Sequence, residues 1–288
     1  MPSKKWKIIN ELLHNHERDD QCDPLEAKAL CDDFSEFFRS KLARISAEIG
    51  VRLSGSSGGE GGFDVKSVGD AIMSEFTVVT TEEVSDVIAG LPNKTSPLDI
   101  IPISLLKSAS GSIAPLLAHL ANLSFRSGVF PRDYKVGHVI PLIKKSSLPR
   151  NDPSSYRPIT NLTTFSKILE KLAAKRVRSH IVTSENFPSL QSAYRPGFST
   201  ETALLRVVSD IRQAAGDGMC TALLALDISA AFDSVNHSIL CERLRKNFGC
   251  SGAVLSWFKS FLSDRSQYIS IGSERSKVSK MDSGVPQG

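Results

Sequence analysis

Apolar residues recur along most of the chain with the spacing of amphipathic helices. In the clearest case, Ile168, Leu169 and Leu172 share one face of a helix predicted over 166–181. The same periodicity and its capping residues predict further helices within 6–50, 80–90, 103–107, 113–127, 200–215, 236–247 and 252–262. Apolar or alternating runs predict strands at 136–143, 222–226, 267–271 and 277–281, the last two as a hairpin. Helices mixed with separated short strands favour an α+β fold over a regular βαβ series.

The apolar run 222–226 leads directly into a carboxylate, Asp227. We predict that this run is a short buried strand with Asp227 at its carboxyl end. Such a carboxylate can hold a hard cation such as Mg2+, which prefers oxygen ligands. The aromatic ring of Phe232, five residues later, would form a wall of the same pocket. Taken alone, Asp227 is more simply explained as a helix N-cap or a turn residue, so other segments must decide.

A glycine- and serine-rich stretch at 54–62 divides the chain. Its composition predicts a flexible linker over 53–75. The preceding residues, 1–52, are predicted to form a helical extension with no recognisable chemistry.

Composition narrows the class of protein. No run of about 18 apolar residues occurs, so no membrane span is expected. The five cysteines form no Cys-x-x-Cys pair, which speaks against a disulfide framework or a zinc site. We therefore expect an intracellular protein, cytoplasmic and/or nuclear, that is not secreted. Residues 132–212 carry fourteen Lys and Arg against six Asp and Glu, which suits a polyanionic partner or, equally, a solvated face.

Cations follow the strand predicted at 136–143. Lys144 and Lys145 come directly after it, and Arg157 lies twelve residues after Lys145, in Tyr-Arg-Pro-Ile. Lysine offers a point charge and arginine a fork for phosphate, so the three suit a nucleoside triphosphate. Surface charge for the lysine pair and a structural ion pair for Arg157 are the alternatives.

A basic stripe lies on the polar face of the helix predicted at 166–181. It consists, at intervals of four, four and three, of Lys167, Lys171, Lys175 and Arg178. This spacing places the four cations on one face, where they would contact a nucleic-acid backbone or simply water.

A loop precedes the helix predicted at 200–215. Within it, Arg195 and Gly197 would let a nucleic-acid backbone approach closely. The helix amino end also attracts phosphate, although capping by Ser199 or Thr200 without a ligand is an equal alternative.

Six segments together resemble, in order and spacing, the reverse transcriptases of LINE-type (non-LTR) retrotransposons. They lie at 96–99, 140–145, 156–162, 191–205, 226–233 and 284–288, and the resemblance covers 76–288. It implies a right-hand polymerase fold with 76–205 as the fingers and 206–288 as a partial palm. The implied partners are an RNA template, a DNA primer and deoxynucleoside triphosphates.

The resemblance also assigns roles around the predicted pocket. Asp227 matches the first metal-binding aspartate, and the carbonyl of Ile228 is a further candidate ligand. Two Mg2+ ions are expected in the complete enzyme. Phe232 matches the aromatic that excludes a ribose 2′-hydroxyl, and Gln287 lies in the motif that borders the nascent base pair.

Further matches concern phosphate and template. Lys144 or Lys145, together with Arg157, matches the positions that hold the incoming triphosphate. Arg195 and Gly197 match the place where the fingers meet the template.

The sequence departs from the family pattern at one important point. It contains no Tyr-x-Asp-Asp string, the motif that supplies the remaining metal-binding carboxylates. We therefore expect a truncated reverse transcriptase domain that is inactive as this fragment. A non-catalytic nucleic-acid-binding module and a decayed gene product are the alternatives. Asp233 and His237 are interpreted as structure at a helix start.

Overall fold

The computed structural model describes residues 24–55, 71–94, 96–149, 152–228 and 230–286. Eight helices occur in these ranges: α1 Pro24–Gly55, α2 Thr81–Ala89, α3 Ile103–Ser108, α4 Ser110–Ser127, α5 Thr164–Thr183, α6 Thr200–Gly216, α7 His237–Phe248 and α8 Gly252–Leu262. The strands are β1 Val136–Ile143, β2 Tyr156–Asn161, β3 Arg265–Ile271, β4 Glu274–Arg275 and β5 Ser279–Met281. None of the described helices is long and apolar enough to cross a membrane.

The strands form one mixed sheet in the order β2-β1-β3-β4, and β5 also pairs with β3. β1 runs antiparallel to β2 and parallel to β3. The register places Leu142 opposite Arg157 and Ile143 opposite Tyr156. The residues that follow β1 therefore lie beside the start of β2.

The larger core surrounds Trp257 of α8. Apolar side chains of α2, α3, α4 and α5 pack against it, because each of these helices presents one apolar face. The indole Nε1 of Trp257 donates a 2.9 Å hydrogen bond to Ser124 Oγ, and Phe125 and Phe130 meet its ring edge-on. This core holds the helices that flank the sheet.

A second core joins α1 to the sheet. Phe34 meets the Tyr156 ring edge-on at 5.2 Å, and Val139 and Ile269 complete the contact. The Cys31 thiol, which is free, donates to the Glu274 carbonyl at 3.5 Å. The predicted N-terminal helix thus shares a core with the strands, while the boundaries drawn at 52, 75 and 205 stay predictions.

Most predicted elements are confirmed. The mixed α+β composition is present, and Thr80 caps α2 through the Glu83 amide, as its position predicts. The strand predicted at 267–271 is β3, and it pairs with β5 as the hairpin pattern requires. The part of the predicted helical region before residue 24 lies outside the described residues, as does most of the linker predicted at 53–75.

The strand predicted at 222–226 is wrong. These residues adopt no regular structure, and Leu223, Leu224 and Leu226 are 72%, 80% and 85% exposed. An apolar run becomes a strand only where a neighbouring strand bonds its backbone, and no described strand pairs with this run. Two other strands, β2 and the short β4, were not predicted.

Candidate functional site

Two of the predicted phosphate-binding cations, Lys144 and Arg157, lie on neighbouring chain segments at one edge of the sheet. Lys144 follows β1, and its amide donates to the Ser155 carbonyl at 2.9 Å. Its ammonium donates to the Ser154 carbonyl at 2.7 Å. Arg157 lies in β2, one register position from the strand end, and both side chains are exposed. Lys145 is exposed beside them.

The pKa of Lys144 reflects the positive charges near it. Partial burial lowers the pKa of the Lys144 ammonium, and the positive charges of Lys41 and Arg157 lower it further. Asp152 opposes this shift, but its carboxylate already accepts from Ser154. The edge therefore carries an excess of positive charge.

A turn at 230–236 carries the predicted aromatic. The carbonyl of Ala230, whose φ is 53°, accepts hydrogen bonds from the amides of Asp233 and Ser234. Asn236 then caps α7 by accepting from the Ile239 amide at 3.0 Å. Phe232 projects from this turn and is 42% exposed.

The turn is bonded to the glycine-rich segment near residue 284. The Gly284 amide donates to the Val235 carbonyl at 2.8 Å, and the Val285 amide donates to the Phe232 carbonyl at 2.9 Å. His237 Nε2 lies 2.7 Å from the Gly284 carbonyl oxygen, which accepts its hydrogen bond. The structure thus brings together the two segments around Phe232 and Gly284. Gln287 lies outside the described residues.

The predicted metal ligands are found on the surface. Asp227 is exposed, and Ile228 is 74% exposed. Among the described residues, no group of three His, Cys, Asp or Glu side chains could hold a metal ion. Because Mg2+ requires near-octahedral oxygen ligation, these residues alone do not fit it.

The basic stripe lies on α5, but two of its members are engaged within the protein. Lys175 makes a 3.2 Å salt bridge to Glu83, and Arg178 donates to the Tyr194 carbonyl at 2.5 Å. Lys171 is exposed and Lys167 half-buried, and neither makes a salt bridge to a described residue. Lys167 and Lys171 are therefore the members available to an outside anion.

Arg195 and Gly197 lie in the loop before α6. The Arg195 guanidinium stacks on Phe198, 4.2 Å from the ring centroid, and donates to the Ser189 carbonyl at 3.0 Å. Gly197 has a φ of +78° and open space around it. The loop is thus held in shape by Arg195, while Gly197 leaves one side free.

Sequence reasoning missed two features. Asp99 anchors its loop to α5, because its carboxylate accepts from the Thr164 amide and hydroxyl, both at 2.6 Å. Lys41 of α1 lies within electrostatic range of both Lys144 and Asp233. The available signal for Lys41 was its helical spacing from Phe34 and Phe38.

Comparison with known proteins adds a family match. Residues 143–288 match the family described as reverse transcriptase (RNA-dependent DNA polymerase). The chain is similar to the "Probable RNA-directed DNA polymerase from transposon BS" of Drosophila melanogaster, with 31% identity over 211 residues. It is likewise similar to the RNA-directed DNA polymerase from mobile element jockey of the same species, with 30% identity over 214 residues.

A more distant relative is the Pol polyprotein from type-1 retrotransposable element R1 of Bradysia coprophila, 28% identical over 214 residues. The matches cover 73%, 74% and 72% of this chain, in the order given. They span 23% of the length of each Drosophila relative and 20% of the Bradysia protein.

Proposed function

The chain belongs to the reverse transcriptase (RNA-dependent DNA polymerase) family, in its LINE-type (non-LTR) branch, and we propose that it binds nucleotide and template for such a polymerase. Residues 76–205 would form the fingers and 206–288 part of the palm. The substrates would be deoxynucleoside triphosphates, added to a DNA primer opposite an RNA template.

The neighbouring positions of Lys144 and Arg157 at one sheet edge carry this proposal. Two exposed cations, Lys144 just after β1 and Arg157 in its partner strand β2, suit a polyphosphate, since their carboxylate neighbour Asp152 is bonded to Ser154. Phe232 projects from a turn fixed by Gly284 and Val285, which supports a role for its ring against the nucleotide sugar.

Asp227 stays our candidate for the first metal ligand, with the Ile228 carbonyl beside it. Because the described residues do not complete a Mg2+ site, we assign this chain no catalytic step. The Asp227 side chain is exposed, so its carboxylate can join ligands from other segments.

Binding of a deoxynucleoside triphosphate to the purified chain tests the proposal. We expect Lys144→Gln/Arg157→Gln to weaken binding of dTTP by about tenfold or more, since charge-assisted hydrogen bonds are lost. The matched control is Arg245→Gln/Lys246→Gln, which removes the same charge from α7, where both cations pair with Glu242. Equal affinity in the two double variants would contradict a phosphate site at the sheet edge.

A primer-extension assay tests whether this chain has polymerase activity. We expect little or no extension by this chain, because in-line transfer requires two held ions and the sequence lacks Tyr-x-Asp-Asp. Mg2+-dependent extension that Asp227→Asn abolishes would overturn the expected inactivity while supporting the assignment of Asp227.

A second candidate function is nucleic-acid binding without catalysis. Lys167 and Lys171, available on one face of α5, favour it. Both functions require affinity for RNA, but only the polymerase-like function requires a nucleotide site. Binding of dTTP therefore separates them.

A further inference from the structure

We propose that α6 is the surface through which two copies of this chain associate, with the two α6 helices packed antiparallel. Among the described helices, α6 is the one in which no residue is buried. The inference goes beyond the proposed function and does not depend on it.

The helix α6 is amphipathic, yet its apolar side is uncovered. Leu204 and Leu205 are 64% and 69% exposed, and Val208 is exposed beside them. An apolar face of this kind normally packs against another surface. A helix of 17 residues is only marginally stable by itself in water, so contact with a second surface would stabilise α6.

A stripe of four residues on this side of α6 indicates what the second surface is. Intervals of four, three and four residues place all four on one face of the helix. In chain order they are acidic, apolar, apolar and basic, namely Glu201, Leu205, Val208 and Arg212. Reversing the direction of the helix exchanges the two charges and leaves the apolar centre in place.

The stripe is therefore complementary to itself in an antiparallel pair. With a twofold axis between Leu205 and Val208, Glu201 lies opposite Arg212 of the second copy, and Leu205 lies opposite Val208. A symmetric contact uses the same patch on both copies, so each of these pairings occurs twice. A parallel pair would instead place like charges opposite each other.

The other two charged residues of α6 are already paired within the helix. Arg206 Nε lies 3.2 Å from a carboxylate oxygen of Asp210, and both residues are on the side away from the stripe. Arg212 makes no salt bridge to a described residue. Its guanidinium is thus available to a carboxylate of the second copy.

The expected dimer is weak. Each α6 is about 25 Å long, and one pair of such helices buries less than the roughly 1,200 Å² of a stable complex. A simpler source of self-association is the exposed apolar run 222–226, but contact through it would be insensitive to the charges of α6. Leu224, which is exposed in this run, therefore provides the control for Leu205.

Sedimentation equilibrium of the full 288-residue chain, from about 10 µM to about 1 mM, tests the inference. We expect an equilibrium between monomer and dimer. Leu205→Gln should weaken dimerisation by about tenfold or more, because two leucine contacts are lost in each dimer. Leu224→Gln should leave dimerisation unchanged.

Charge reversal tests the antiparallel arrangement. Glu201→Arg alone and Arg212→Glu alone should each weaken dimerisation by about fivefold or more, since like charges then face each other twice. An equimolar mixture of these two variants should dimerise as the unchanged chain does, because opposite charges meet again. This recovery also shows that both variants are folded. Arg206→Glu, the matched control on the other side of α6, should have little effect.

Three results would overturn the inference. One is a chain that stays monomeric at about 1 mM, which would leave the apolar face of α6 to a different occupant. Another is a loss in Leu224→Gln equal to that in Leu205→Gln. The third is a mixture of the two charge-reversal variants that does not recover dimerisation. None of these results bears on dTTP binding at the sheet edge, which does not include α6.

Discussion

At the scale of single residues, Gly284 shows how the site depends on backbone shape. Its φ is +80°, a backbone angle that residues other than glycine adopt only at an energetic cost. A Cβ added at this position would lie 2.6 Å from the Asp233 carbonyl oxygen. Its amide at the same time bonds Val235. Backbone strain and close approach therefore act together at the contact that joins the turn to the glycine-rich segment.

Gly284→Ala should for this reason destabilise the protein by about 2–4 kcal/mol, from strain plus overpacking. Gly197→Ala is the matched control, since its φ is +78° with open space around it, and strain alone predicts about 1–2 kcal/mol. Urea unfolding of both variants measures the difference. Equal losses would show that the contact with Asp233 relaxes freely.

The buried ion pair between Glu83 and Arg176 also depends on single residues. The guanidinium donates to both carboxylate oxygens, at 3.0 and 2.7 Å, and the two side chains are 14% and 7% exposed. We expect Glu83→Gln to cost about 2 kcal/mol at neutral pH, between the values for surface and fully buried pairs. Glu82→Gln, one residue away, should change stability by less than about 0.5 kcal/mol.

The destabilisation by Glu83→Gln should depend on pH in one definite direction. Hydrogen bonding from Arg176 lowers the pKa of the Glu83 carboxyl, against a smaller opposing effect of burial. The folded state thus binds this proton less tightly than the unfolded state. The stabilisation is present above the ordinary glutamate pKa and disappears as the pH falls through the lowered value. A stability difference between the chain and Glu83→Gln that grows on acidification would contradict this origin.

At the scale of elements, helices were predictable and strands only partly so. The apolar face of α5 extends from Phe165 to Ile181, more than about four turns, so its pattern identifies it without knowledge of its partners. β2 gives a weaker signal, because its Pro158 lacks an amide donor and only Tyr156 and Thr160 are buried. The failure at 222–226 has the same cause, since partners decide which apolar run becomes a strand.

The candidate site likewise combines features that the local sequence pattern predicts with features that depend on tertiary packing. The position of Lys144 at the sheet edge was predictable because it adjoins β1, whose pattern is clear. The contact of Phe34 in α1 with Tyr156 in β2 was not, because it joins elements more than 90 residues apart in sequence. The bonding of Gly284 to the turn likewise depends on tertiary structure.

The exposed run 222–226 permits a direct comparison of two leucines. Leu224 is 80% exposed, whereas Leu172 in α5 is fully buried in the core around Trp257. Leu224→Ala should therefore cost less than about 0.5 kcal/mol, and Leu172→Ala about 3 kcal/mol or more, from lost burial and a cavity. Urea unfolding tests both. A cost above 1 kcal/mol for Leu224→Ala, far outside the value of about zero for exposed sites, would mean that the run is packed in solution.

At the scale of the whole molecule, the net positive charge is small, but the positive residues are concentrated in one segment. The chain carries a formal net charge of +4, while residues 132–212 alone carry an excess of eight positive charges. The structure places Lys144, Lys145 and Arg157 at the sheet edge and five further cations on α5, while Arg206 and Arg212 lie on α6. We propose that one extended RNA template strand contacts both the sheet edge and α5, with its end near the proposed nucleotide site.

Salt dependence of RNA binding tests this arrangement. Because phosphate contacts release counterions, Lys167→Gln/Lys171→Gln should reduce the slope of log affinity against log salt for single-stranded RNA by about 1.4. The control Arg245→Gln/Lys246→Gln removes the same charge from α7, where both cations pair with Glu242, and should leave the slope nearly unchanged. A filter-binding titration at several salt concentrations measures both slopes. Equal reductions in the two variants would show that RNA responds to total charge, and the α5 stripe would lose its assignment as a nucleic-acid-binding face.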